Sequence, residues 1–228
     1  MSPSSIVIAS PHSRHDRLVE NLTAEGLRVT RITSPSQLDL ASLSALDPRY
    51  VLFPHWSWKI PAEVFQGFEC VIFHLTDLPY GRGGSPLQNL IVRGHKNTML
   101  TALRCVADID AGPIYMKRPL SLHGTAEEIL RRAADLTESM ILDIVQLNPV
   151  PMPQAGEVTL FQRRRPEDGD LASLTELGHV YDFIRMLDAD GYPHAFLETA
   201  HFRFEFTQAS LQSDTVLANV RIVRKTHE

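Results

Sequence analysis

A short apolar run followed by turn-forming residues decides the fold of this 228-residue chain. Residues 70–86 read CVIFHLTDLPYGRGGSP. The four residues that open this stretch are typical of a buried central strand, and the prolines and glycines that follow end it. His74 is therefore predicted at the carboxyl end of a strand, which is the edge where open α/β sheets bind ligands.

The chain before this strand indicates the same architecture. An apolar strand at 6–9, an amphipathic helix stopped by Gly26 and a second strand at 27–32 predict a β-α-β start. The turn at 10–13 reads SPHS and lacks the Gly-x-Gly-x-x-Gly pattern of dinucleotide-binding folds. The fold is therefore predicted to be Rossmann-like without a dinucleotide site.

The second half of the chain predicts a smaller region. A proline-rich segment at 148–153 blocks both helix and central strand, and so marks a boundary. Beyond it lie an amphipathic helix that ends near Gly191 and a strand with phenylalanine at alternate positions 202–206, typical of an antiparallel sheet. We predict an α/β chain with a Rossmann-like domain at 1–148 and a small α+β region at 149–228.

Composition restricts the function classes. The hydrophobic fraction of 43% suits one sizeable core, and the sequence shows neither ~18 uninterrupted apolar residues nor a leader, so we expect no membrane partner and a cytoplasmic location. The net charge of −5 argues against a nucleic-acid partner. The basic run at 163–165 is either a solvated face or a site for a diphosphate.

Cysteine and histidine patterns give no indication of a metal site. Cys70 and Cys105 lie in apolar surroundings, where buried reduced thiols are expected. His12 and His15 form a His-x-x-His pair without the further ligands that a metal requires. We expect no metal cofactor.

A second motif follows about one helix and one strand after His74. Residues 108–113 read DIDAGP, a turn between two predicted strands that would hold Asp110 on rigid supports. A histidine and a carboxylate positioned in this way suit acyl transfer. Each residue also has an ordinary explanation, because His74 could be a hydrogen-bonded core residue and Asp110 could stabilise its own turn.

Together these motifs resemble the 10-formyltetrahydrofolate-dependent formyltransferases. Residues 73–89, FHLTDLPYGRGGSPLQN, are similar to the nucleotide amino-sugar branch, especially enzymes of pseudaminic acid synthesis, and segments 164–169 and 181–193 agree. The resemblance implies formyl transfer from 10-formyltetrahydrofolate to a nucleotide-linked 4-amino-4,6-dideoxy sugar, with a UDP-linked sugar favoured. The chain length disfavours the methionyl-tRNA branch, and a homodimer is left open.

The resemblance also implies a role for individual residues. His74 would stabilise the oxyanion, Asp110 would orient His74 and handle the amine proton, and Thr76 would hold the local geometry. The residues expected to contact folate are Trp56, Ser57, Trp58, Ile60, Ala107 and Asp108. Those expected to contact the sugar nucleotide are Arg82, Gly83 and Tyr192.

One position departs from the family pattern. The family usually has an asparagine two residues before its histidine, where it helps to hold the oxyanion, and this chain has Ile72 there. Isoleucine cannot donate a hydrogen bond, so another donor would have to replace it. The alternatives left open are a formyltetrahydrofolate hydrolase and an inactive protein that binds folate or a nucleotide sugar.

Overall fold

A computed structural model describes residues 4–225 of the chain. Within that range the strands are β1 (Ser5–Ala9), β2 (Arg28–Ile32), β3 (Tyr50–Pro54), β4 (Cys70–His74), β5 (Tyr80–Gly83), β6 (Asn97–Arg104), β7 (Ile114–Ser121), β8 (Thr159–Phe161), β9 (Ala195–Glu198), β10 (Phe202–Leu211) and β11 (Val216–Arg224). The α-helices are α1 (Asp16–Ala24), α2 (Leu40–Leu46), α3 (Ala62–Gly67), α4 (Pro86–Val92), α5 (Ala126–Leu147) and α6 (Leu177–Met186).

The main sheet has the strand order β2-β1-β3-β4-β6-β7. β1 pairs in parallel with β2 and β3, and β3 pairs in parallel with β4. β6 is antiparallel to β4. The predicted Rossmann-like α/β fold is confirmed, and His74 is the last residue of β4, as expected.

Every residue of β1 and β3 is buried, and these two strands are apolar except for Ser5, because helices cover both faces of the sheet. Ile6 and Ile8 of β1 join one cluster, which also contains Leu22 of α1 and residues of α5. Val7 points to the other face and joins a second cluster with Val64 of α3. Each fully buried aliphatic side chain of this kind contributes about 1.5–3 kcal/mol. The two clusters therefore hold the strand ends that carry the candidate site.

The chain forms two compact units, which are discontinuous in sequence. The first contains the chain up to Gly83, Met99–Leu120 and Arg131–Leu160, and the second contains Gly84–Thr98, Ser121–Leu130 and the chain from Phe161 onward. The second unit has an antiparallel sheet in the order β11-β10-β9, with α6 packed against β10. The division into domains at residues 148 and 149 stays a prediction.

The described residues contain no helix that is both long and apolar enough to cross a membrane. They also contain no group of three or more histidine, cysteine or acidic side chains arranged to hold a metal ion. Both cysteines are buried free thiols. Burial raises the pKa of Cys70 to about 12 and that of Cys105 to about 11, so both thiols stay neutral and inert at physiological pH.

Candidate active site

His74 ends β4 as a nearly buried side chain with one ring nitrogen already bonded. Its Nε2 lies 2.8 Å from the carbonyl oxygen of Gly81. Because a carbonyl oxygen only accepts hydrogen bonds, Nε2 must carry the proton. In the neutral imidazole, Nδ1 is then the basic nitrogen.

The carboxylate of Asp110 lies beside that basic nitrogen. Asp110 Oδ2 is 3.5 Å from His74 Nδ1, and the two side chains are only 11% and 8% exposed. The same oxygen accepts a hydrogen bond of 2.9 Å from the backbone N–H of Gly83. The structure thus brings together the two residues that sequence motifs singled out, while their catalytic roles stay predictions. A proton on Nδ1 would turn this contact into a charge-assisted hydrogen bond.

Backbone groups of the loop after β4 shape the pair. Gly81 accepts the hydrogen bond of His74, Gly83 donates to Asp110, and both glycines have positive φ values of 78° and 110°. Thr76 is fully buried, and its Oγ1 lies 3.4 Å from the same Gly81 oxygen. The hydroxyl of Thr101 donates to the Thr76 carbonyl at 2.6 Å. Thr76 therefore contacts the loop backbone, and its predicted geometric role stays a prediction.

Gln154 also supports the site, although nothing in the sequence singled it out. Its Nε2 donates to the carbonyl oxygens of Asp110 at 2.7 Å and Gly112 at 2.8 Å. Its Oε1 accepts two hydrogen bonds from Arg82, at 3.1 Å from Nε and 2.8 Å from Nη2. The proline-rich segment before Gln154 resembled a linker, yet Met152 forms a β-bridge with Ile114 and so fixes Gln154 beside the Asp110 turn.

This network changes the interpretation of Arg82 and Gly83. Arg82 was expected to contact a sugar nucleotide, and two of its donors instead bind Gln154. Gly83 was expected to face the same substrate, and its N–H holds Asp110. These contacts include Arg82 and Gly83 in the network around the Asp110 turn, and any contact of the two residues with a substrate stays a prediction. Tyr192 lies in the second unit, in a turn closed by its N–H on Ala189, and its role stays a prediction.

The residues expected to contact folate differ in burial. Trp56 packs edge-on against Phe53 and Trp58, with ring centroids 5.9 and 4.8 Å away. Its Nε1 is buried and has no hydrogen-bond partner among the described residues. Ile60 belongs to the core, whereas Trp58, Ser57, Ala107 and Asp108 are exposed. This arrangement does not test whether these residues contact folate, so the assignments stay predictions.

Two further sequence features have ordinary structural surroundings. Ile72 is half-buried and packs against an apolar cluster that contains Val7 and Val64.

Within the basic run, Arg164 stacks over the Phe183 ring with 5.2 Å from Cζ to the centroid, and it donates to the Asp168 carbonyl. Arg164 is thus half-buried and bonded within its own unit, and the choice between a solvated face and a diphosphate site stays a prediction.

Comparison with known proteins places the fold. A solved structure titled methionyl-tRNA formyltransferase, from Clostridium thermocellum, is 44% identical, covers 97% of this chain and 100% of its own, and superposes with a TM-score of 0.95. A curated methionyl-tRNA formyltransferase from Acidothermus cellulolyticus is 29% identical over 70% of this chain and 51% of its own length. The chain spans about half the length of the first curated relatives that it matches.

Two further likenesses bear on the branch of the family. The family description "Methionyl-tRNA formyltransferase, C-terminal domain" matches residues 166–223. A sugar N-formyltransferase from Shewanella covers 99% of both chains with a TM-score of 0.67, but at 16% identity this likeness shows the fold alone.

These findings correct the predicted function. The prediction of transfer to a nucleotide-linked amino sugar is wrong, because a relative that is 44% identical over 97% of this chain is described as a methionyl-tRNA formyltransferase. The motif at 73–89 did not identify the acceptor, because its backbone groups at Gly81 and Gly83 hold the His74–Asp110 pair. The expected enzyme class, with formyl-tetrahydrofolate as the donor of the family, is confirmed. The chain therefore belongs to the formyltransferase family.

Proposed function

We propose that this chain transfers the formyl group of 10-formyltetrahydrofolate to a primary amine at the His74–Asp110 pair. The observation that carries this proposal is the pair of contacts made by the His74 ring. Nε2 lies 2.8 Å from the carbonyl oxygen of Gly81, which leaves Nδ1, 3.5 Å from Asp110 Oδ2, as the basic nitrogen. A nearly buried imidazole in that tautomer can accept a proton during nucleophilic attack. General-base help of this kind contributes about 10²–10⁴ in rate.

The proposed reaction balances without a metal or an oxidant. The amine nitrogen forms a bond to the formyl carbon, and the proton that it sheds goes to Nδ1 of His74. Asp110 stabilises the imidazolium that results. The bond between the formyl carbon and N10 of tetrahydrofolate then breaks, and N10 receives the proton. Because the Nε2–H of His74 already donates to the Gly81 carbonyl, we assign His74 the role of proton acceptor. We do not assign it the stabilisation of the oxyanion.

Methionyl-tRNA is the acceptor that the relatives support. Their names state it, including that of the solved structure that covers 97% of this chain. The expectation of no nucleic-acid partner came from a net charge of −5, which is a total over the chain and does not describe any one surface. The chain spans about half the length of the curated relatives, so their activity is a proposal for this chain. The cytoplasmic location stays a prediction.

The test is an acceptor-dependent formylation assay. The purified chain is incubated with 10-formyltetrahydrofolate and methionyl-tRNA, and formylmethionyl-tRNA and tetrahydrofolate are measured. We expect equal amounts of both products, and none with methionyl-tRNA whose amine is acetylated beforehand. Tetrahydrofolate release that ignores the acceptor, or formylation of UDP-amino sugars in place of methionyl-tRNA, would overturn the proposal.

A further inference from the structure

The three histidines of the first unit that lie outside the His74 site are brought together at one point of the sheet. The chain passes from β1 to β2 on one side and then crosses to β3 on the other side of β1, so the strand order reverses at β1. The crevice at the carboxyl ends of two such strands is the usual ligand site of open α/β sheets. His12 and His15 follow β1, and His55 follows β3 directly.

Specific contacts hold the side chains of this cluster together. The rings of His12 and His55 lie 4.3 Å apart between centroids and are tilted by 36°. Arg14 Nη1 is 3.3 Å from His55 Nδ1, and since a guanidinium only donates, that nitrogen is an acceptor and the imidazole is neutral. His15 is buried, with Nδ1 2.7 Å from the hydroxyl of Ser10.

Arg31 of β2 holds the loop that carries the cluster. Its Nη2 donates to the His12 carbonyl at 2.7 Å and its Nε donates to the Ser10 carbonyl at 3.3 Å. The same guanidinium pairs with Asp16 at the start of α1. Asp16, the acid next to the histidines, is thereby paired with Arg31, and two hydrogen bonds from the same guanidinium hold the loop after β1.

The charges around the cluster are nearly all of one sign. Burial, followed by His12, Arg14 and His15, lowers the pKa of His55 to about 3. Burial, followed by Arg14, His12 and Arg31, lowers the pKa of His15 to about 3, and Asp16 alone opposes this. Burial, more than the neighbouring cations, keeps these imidazoles neutral, and the arginines beside them give a positive surrounding that attracts an anion.

We propose that His12, Arg14 and His55 form a phosphate-binding site at the switch point between β1 and β3. Resting on the proposed function, we assign it the phosphodiester next to the aminoacylated end of the acceptor. Pro54 of β3 is in register with Phe73 of β4, so His55 and His74 follow neighbouring positions of adjacent strands. One substrate can therefore place its phosphate at the first histidine and its amine at the second.

Sulfate binding tests the site without any need for catalysis. Trp56 and Trp58 are the two tryptophans of the chain, and both follow His55, so intrinsic fluorescence reports on this loop. We expect a saturable change with sodium sulfate and none with sodium chloride at equal ionic strength. Arg14→Gln should weaken sulfate binding about tenfold or more, the size expected for losing a charged donor. The matched control Arg17→Gln, on the exposed side of α1, should bind as the wild type does.

The pH dependence of sulfate binding adds a second readout. The groups that face the site are His12, Arg14 and His15 after β1, Asp16 of α1, Arg31 of β2 and His55 after β3. Sulfate does not titrate between pH 5.5 and 8, so a tighter complex at pH 5.5 would come from imidazoles that protonate on binding. His55→Asn keeps a residue tolerant of the positive φ of 54° and should flatten this dependence.

Two comparisons decide the source of the phosphate and separate this proposal from the proposed function. A CCA trinucleotide should displace sulfate, whereas free glutamate, which mimics the tail of folate, should not. Arg14→Gln should raise KM for methionyl-tRNA and leave kcat near that of the wild type. Equal effects of sulfate and chloride, unchanged sulfate binding by Arg14→Gln, or displacement by glutamate alone would overturn the site. If no acceptor is formylated but these binding results hold, the proposed function fails and the phosphate site stands.

Discussion

At the scale of single residues, Gln154 holds Asp110 in place through hydrogen bonds to the backbone of the Asp110 turn. Asp110 has a positive φ of 51°, a conformation that a non-glycine residue keeps only when its surroundings fix it. Two donated hydrogen bonds from one amide, to the carbonyls of Asp110 and Gly112, supply that constraint. Gln154 is therefore a positioning residue, because it acts on the reaction through Asp110.

Replacing Gln154 with glutamate should slow formyl transfer. The variant keeps an acceptor for Arg82 but faces two carbonyl oxygens with a carboxylate, so the Asp110 turn should move. A displacement of ~1 Å at a reacting group can cost up to about 10² in rate. We expect kcat to fall about tenfold or more while KM for 10-formyltetrahydrofolate changes little, as measured by steady-state kinetics.

The matched control for Gln154→Glu is Gln66→Ala. Gln66 is exposed on α3 in the same unit, and the substitution should leave both constants unchanged. If Gln154→Glu raises KM and spares kcat, Gln154 contacts the donor and does not position Asp110.

At the scale of elements, the strands of the main sheet were predictable from the sequence, and the contacts of the site loops were not. The apolar run at 70–73 identifies β4 because a strand covered on both faces needs apolar side chains throughout. The site loop around Asp110 depends instead on partners distant in sequence, such as Gln154, 44 positions away, and no local pattern encodes such a pair. The acceptor could not be predicted either, because the contacts of residues 73–89 that the structure shows hold the His74–Asp110 pair.

The turn at Gly112 should tolerate no side chain. A Cβ there would lie 1.8 Å from the carbonyl oxygen of Arg104, which is backbone and cannot yield cheaply. Gly112→Ala should therefore destabilise the fold by about 1–3 kcal/mol, as overpacking does, and lower activity. Urea unfolding followed by circular dichroism measures the change.

Gly178 provides the contrasting substitution. It lies in α6, and a Cβ added there meets nothing within 4 Å. Gly178→Ala should leave the unfolding free energy unchanged or raise it by about 0.5–1 kcal/mol, because alanine favours helix. Similar losses in both variants would mean that the close approach at Gly112 does not constrain the turn.

At the scale of the whole molecule, buried titratable groups make stability depend on pH. His15 is 3% exposed and its pKa is lowered to about 3, chiefly by burial. In the unfolded chain a histidine titrates at about 6.5, so between these values the unfolded state binds more protons. The stability that neutral His15 provides is complete above pH 6.5 and is lost as the pH falls toward 3.

The free energy of unfolding should therefore fall on acidification. From pH 6.5 downward, His15 alone lowers it by up to about 1.4 kcal/mol per pH unit. His15→Gln, which does not titrate, should flatten the slope in urea titrations between pH 7 and pH 4. An identical slope in wild type and variant would show that His15 is accessible to protons in the folded state.

The central claim is that His74 and Asp110 together carry the proton of formyl transfer, and single-turnover formylation of methionyl-tRNA tests it most directly. We predict that His74→Gln and Asp110→Asn each lower the rate by about 10²–10⁴ while their urea midpoints stay near that of the wild type. Asp143→Asn, which breaks a surface ion pair with Arg118, should react at the wild-type rate. Wild-type rates in either His74→Gln or Asp110→Asn would contradict the account.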